Sequence, residues 1–205
     1  MTRTSTLIAT LASSMLLACP LHAAEKCFDF SGQTGGARFR AGDVVQSEIL
    51  KVRFRDGLSG GAAGRPAQAE ARRTGVDPSA LAKGPTPERF SSLVNLQILP
   101  REPVAEIMLD VGENHADAGN GRVHIELNGA IHEVDGGLHQ AHDQLLSSDA
   151  QGNARVEVEP LPNGRSGSWS QSRIRVHALS APIETFGIGG RQFVVDHVCV
   201  TSRAP

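Results

Sequence analysis

Short stretches in which apolar and polar residues alternate with period two run through this chain, and that pattern suits half-buried β-strands rather than amphipathic helices. Leu50, Val52 and Phe54 alternate with Lys51, Arg53 and Arg55, and Val94, Leu96 and Ile98 with Asn95 and Gln97. Val156 and Val158 sit among Arg155, Glu157 and Glu159, and Ile174 and Val176 among Arg173, Arg175 and His177. Residues 104–111 and 193–200 are more continuously apolar, as expected of central strands. With 22 Gly and 11 Pro in 205 residues, turns are plentiful. These features predict an all-β fold, an antiparallel β-sandwich of jelly-roll type, and the length suits one domain.

Residues 1–24 read as an export signal. Arg3 is the basic residue, an apolar run follows, and Leu21-His22-Ala23-Ala24 offers small residues for a peptidase. The run is too short to span a bilayer, and no later segment approaches the required length. Leu16-Leu17-Ala18-Cys19 resembles a bacterial lipobox, which would anchor lipid at Cys19, but Leu17 and Pro20 fit it poorly and ordinary cleavage is favoured. Residues 25–205 are then one periplasmic or secreted domain. Removing Cys19 leaves Cys27 and Cys199, one near each end, and an oxidising compartment normally pairs such residues. The bridge would close nearly the whole mature chain into one loop, worth about 5 kcal/mol in chain-entropy models.

Asn128-Gly129, between residues 123–127 and 130–134, is the strongest hairpin signal. A three-residue turn pairing Leu127 with Ile131 is the preferred register, because it keeps both in the core and puts His124 and His132 on one polar face. Residues 56–89 differ from the rest: they are rich in Gly and Pro, and residues 51–89 carry eight Lys or Arg against four acids. They read as a mobile insertion, with a short helix over residues 67–73. A second helical segment, over residues 138–146, would place Leu138, Ala141 and Leu145 on one face.

Cys27-Phe28-Asp29-Phe30-Ser31-Gly32, then Ala41-Gly42-Asp43, resembles the opening of a group of exported bacterial β-sandwich proteins of unassigned function. Phe186-Gly187-Ile188-Gly189-Gly190 and Val195-Asp196-His197-Val198-Cys199 resemble their closing strands, and residues 125–129 their central hairpin. The resemblance covers most of the mature chain except residues 56–89. It implies paired terminal cysteines and an architecture similar to galactose-binding-like jelly rolls. Fold alone does not carry function, so it implies a binding role at most.

The chemically unusual stretch is residues 106–159, with eleven acids against Arg122 and Arg155, and five histidines. Asp110, Glu113 and Asp117 lie in a Gly-bearing segment of the kind that gathers oxygens around calcium, although the spacing is not that of an EF-hand and a polar turn is the blander account. His124 and His132, together with His139 and His142, would suit zinc, though solvated histidines are common and zinc ranks below calcium. Trp169, after a Gly- and Ser-rich loop, is the aromatic candidate for a sugar platform and equally a core residue. Gly164-Arg165-Ser166-Gly167-Ser168 lacks the last Gly of a nucleophile elbow, so catalysis is disfavoured. A net charge of −2 gives no basic surface for nucleic acid. The leading expectation is an exported, non-enzymatic binding module for calcium or carbohydrate. A structural or envelope-associated protein-interaction domain comes second, and a His/Asp metal-dependent enzyme third.

Overall fold

A computed structural model of the chain describes residues 24–28, 38–55, 68–72, 89–114, 122–148, 152–166 and 169–202. The expected signal segment with Cys19, most of the insertion, and Asp117 lie outside the described residues. Among the described residues thirteen strands occur in chain order: β1 (Glu25–Phe28), β2 (Arg38–Arg40), β3 (Val44–Gln46), β4 (Leu50–Arg55), β5 (Gln68–Arg72), β6 (Arg89–Pro100), β7 (Val104–Asn114), β8 (Arg122–Leu127), β9 (Ala130–Asp135), β10 (Leu145–Ser148), β11 (Gly152–Ser166), β12 (Trp169–Ala178) and β13 (Phe186–Ser202). One 3-10 turn, Leu138–Ala141, is the only helical element among the described residues. No helix there is long and apolar enough to cross a membrane.

Two antiparallel sheets pack face to face, and β13 belongs to both. Residues Phe186–Gly190 of β13 lie between β6 and β8, in the sheet β3-β4-β6-β13-β8-β9. Residues 193–195 pair with both β6 and β7, and residues 198–201 lie between β7 and β1, in the sheet β10-β11-β12-β7-β13-β1. The change of sheet coincides with two irregularities in β13, between Gly190 and Phe193 and between Asp196 and Val198. Bulges bend and twist a strand, which is what such a corner requires.

The alternating residues meet between the layers. Leu50, Val52, Phe54, Leu96, Ile98, Ile125, Leu127, Phe186 and Ile188 come from one sheet, and Ile107, Leu109, Val111, Val156, Ile174, Val176, Val198 and Val200 from the other. Burying each such side chain contributes about 1.5–3 kcal/mol, so this interlayer core carries the fold.

Three local expectations are corrected. The hairpin turn has two residues: Leu127 pairs with Ala130, with Asn128 at φ 46 and Gly129 at φ 90, both in the region a type I′ turn needs. Asn128 is further fixed because its Oδ1 accepts the Glu184 and Thr185 N–H groups at 2.8 and 3.0 Å. The preferred register assumed a solvated polar face, but His124 and Glu126 are buried, and the exposed position beside Glu126 falls to Ile131, 46% exposed. Residues 68–72, expected as a helix, form β5, which joins β2 to the outer part of β6. The open edge of the long strand β6 outweighs the local helix preference of Ala, Glu and Arg. The helix expected over 138–146 is limited to the 3-10 turn, which buries Leu138 and Ala141 before β10 begins.

Candidate binding face

Among the described residues expected to gather around a metal, strand alternation separates Asp110 from Glu113 and His124 from His132. Asp110 and Glu113 lie on a regular stretch of β7, so they face opposite sides of the sheet. Asp110 accepts two hydrogen bonds from Arg173, at 2.7 and 2.9 Å. Glu113, with the core residues, accepts the Leu138 N–H at 3.1 Å and so holds the start of the 3-10 turn. Gly137 there has φ 99, and a Cβ on it would lie 3.0 Å from the Glu113 carboxylate. His124 and His132 also part company. His124 pairs with Glu133 on the outer face, Nδ1 to Oε1 3.9 Å, while His132 lies opposite Ile125 on the core side. His132 Nε2 is buried without a hydrogen-bond partner. His142 Nδ1 accepts the Val158 N–H at 3.0 Å, and His139 contacts Gln140. Trp169 opens β12 opposite Asn114 and Ser166.

Other residues build a charged face. On the outer side of β11, β12 and β7, His177 bridges two acids, with Nδ1 3.0 Å from Glu106 and Nε2 3.3 Å from Glu157. Arg175 reaches the other oxygen of Glu106 at 3.2 Å, and the next row is the two-pronged Arg173–Asp110 pair. The hydrogen bonds that Arg173 donates to Asp110, with the charge of that acid, raise the Arg173 pKa above its already high ordinary value. The side chains remain partly wet, 30% exposed for Arg175 and 38% for Glu157. One row runs across the whole sheet: Leu145, Arg155, His177, Glu106, Thr201 and Glu25. Beside it lies the row Glu157, Arg175, Met108, Cys199 and Cys27.

Cys27 and Cys199 form a disulfide between directly opposed residues of β1 and β13, closing a sequence separation of 172. Such a bond fits an oxidising compartment. In the sequence Arg173, Arg175 and His177 read as the polar half of a strand, and Glu106 as one of the acids of residues 106–159. Their alternation marked a common face, but the pairing of acid with base depends on register between strands.

The outer side of the other sheet carries a buried polar cluster. Glu126 Oε2 accepts Arg55 Nη1 at 2.7 Å and Glu126 Oε1 accepts Gln97 Nε2 at 2.9 Å. Gly187 lies between Gln97 and Glu126 in the ladder. A Cβ there would come within 2.8 Å of Glu126 Cβ, so glycine lets the two polar side chains meet across bare backbone.

No protein-family model matches the chain, and no curated protein matches it significantly.

Proposed function

We propose that this chain is an exported, non-catalytic β-sandwich binding module, and that the outer face of β11, β12 and β7 recognises a hydroxyl-rich ligand of the carbohydrate class. The observation that carries the reading is the lattice of guanidinium, imidazole and carboxylate groups, ordered by mutual contacts yet partly exposed. Vicinal sugar hydroxyls donate and accept at once, and an acid beside a base offers both partners at fixed spacing. Rigid neighbours hold these groups in place, which lowers the ordering cost of binding. The disulfide and the export-like leader support action outside the cytoplasm, and the resemblance to galactose-binding-like jelly rolls points the same way. Calcium has no part in this reading, because Asp110 is already neutralised by Arg173.

A second reading, a protein-interaction domain of the envelope, is favoured by one observation. Leu145 and Leu179, 63% and 53% exposed, lie near the β10 rim of the same sheet. Calorimetric titration of the mature protein with oligosaccharide pools, in EDTA, tests the first reading. Binding that falls at least tenfold in Arg175→Gln, with an unchanged melting temperature, is the expected result. Oligosaccharides that leave the wild type silent, or bind Arg175→Gln equally well, overturn it.

A further inference from the structure

The disulfide has a companion. Both sulfurs and a ring nitrogen of His197 lie within 4.8 Å of one another. We propose that two-electron reduction of the disulfide by a dithiol converts Cys27, Cys199 and His197 into a binding site for one Cu(I) ion.

His197 is brought there by unusual backbone. It is the extra residue between Asp196, which pairs with Asp110, and Val198, which pairs with Leu109. Its φ is 46, a left-handed value uncommon outside glycine, although His is among the residues that adopt it more readily. The bulge lets Val195 and Val198, three positions apart, both enter the core. It leaves His197 half-buried on the disulfide side. Bulges are a recognised way of re-aiming a side chain beside a site.

The donor set selects the metal. Metal–sulfur bonds near 2.3 Å and metal–nitrogen bonds near 2.0 Å put three donors around one ion roughly 3.5–4 Å apart. The observed spread therefore needs only that the freed sulfurs rotate apart on opposed strands. Two thiolates and an imidazole form a soft set, and Met108, which pairs with Cys199 from the other side, adds a thioether in the same row. Three coordination positions and sulfur neighbours suit Cu(I) better than zinc, which closes structural sites with four ligands.

The redox step balances. Cys27 is the exposed cysteine and Cys199 the buried one, so the reductant's thiolate attacks the Cys27 sulfur and Cys199 leaves as thiolate. The second thiol of the reductant then displaces Cys27, and the reductant departs as its own disulfide with two electrons transferred. Cu(I) replaces the two thiol protons. Glu25 Oε1, 3.6 Å from Cys27 Sγ, is placed to accept one of them on its way to solvent.

The test uses mature protein reduced anaerobically with a dithiol, desalted, and titrated with Cu(I) against a chromophoric chelator. One Cu(I) per chain is expected for the reduced protein, with at least a hundredfold weaker binding to the oxidised protein. His197→Asn, which tolerates the left-handed backbone but lacks the imidazole, should lose at least tenfold in affinity while its oxidised form melts like wild type. Binding by the reduced wild type no better than by Cys27→Ser/Cys199→Ser overturns the proposal, and so does wild-type affinity in His197→Asn. A reduced chain that loses its β-sheet circular dichroism and does not regain it with Cu(I) overturns it as well.

Discussion

The two outer faces of the sandwich use the same chemical pair in opposite ways. On β4, β6 and β8, Arg55 and Gln97 close over Glu126, whose side chain is 4% exposed. On β7 and β12, Arg175 and Glu106 meet at 3.2 Å with the carboxylate side chain still 20% exposed. Gly187 makes the difference, because the bare strand between β6 and β8 lets polar heads converge and shed water. Burial makes the Glu126 contacts hard to replace, since a desolvated group left without its partner is costly. The half-wet pairs of the other face contribute little to stability and remain available to a ligand. One face is therefore structural, and the other keeps its polar groups within reach of solvent.

The disulfide ties β1 to β13 at the edge of the sheet that bears the charged face, and its loss should have the largest effect. Cys27→Ser under oxidising conditions is expected to cost up to about 5 kcal/mol by the loop-entropy argument. For a domain of this size that lowers the melting temperature by up to roughly 10–20 °C. Thermal unfolding followed by circular dichroism checks this. An unchanged midpoint would mean that the charged face stands without its covalent tie.

How much of this was legible in the residues follows from how local each determinant is. Leu50, Val52 and Phe54, or Ile174 and Val176, announce strand and inward face within six residues, so the sandwich core could be read directly. The cysteine pair was readable because an export-like leader and an even count in the rest of the chain leave few alternatives. The turn at Asn128 was recognised but its register was not. That register depends on Glu126 being buried by Arg55, 71 positions away, and by Gln97, 29 positions away. The acid-rich stretch misled for a related reason: Asp110 and Glu113 are close in sequence, yet alternation sends them to opposite sides of β7. β5 was obscure because its residues favour a helix until the free edge of β6 is present.

The contrast between the faces sharpens at Gly187. Glu126→Ala leaves Gln97 Nε2 unsatisfied and Arg55 without its carboxylate, and roughly 2–3 kcal/mol of destabilisation is expected in urea unfolding. Gly187→Ala crowds Glu126 from the other direction and should cost roughly 1–3 kcal/mol. The double variant should lose only slightly less than the sum, because alanine at 126 keeps the Cβ that lies 2.8 Å from the new methyl group and only the 3.2 Å contact with the carboxylate is relieved. A double variant that loses far less than the sum would mean that the carboxylate, and not the Cβ, is what the new methyl group crowds.

The smallest effect belongs to the charged face. Arg175→Gln removes one ion pair while keeping a side chain that can still hydrogen-bond Glu106, and His177 Nδ1 still contacts that acid at 3.0 Å. A loss below about 1 kcal/mol is expected, shrinking further as salt is added, because partly exposed pairs are screened. Urea unfolding at low and high ionic strength measures it. A loss above roughly 2 kcal/mol, insensitive to salt, would place Arg175 in the same class as the buried Glu126 cluster. The face would then be a structural network like its counterpart, with its polar groups committed to the fold instead of to a ligand.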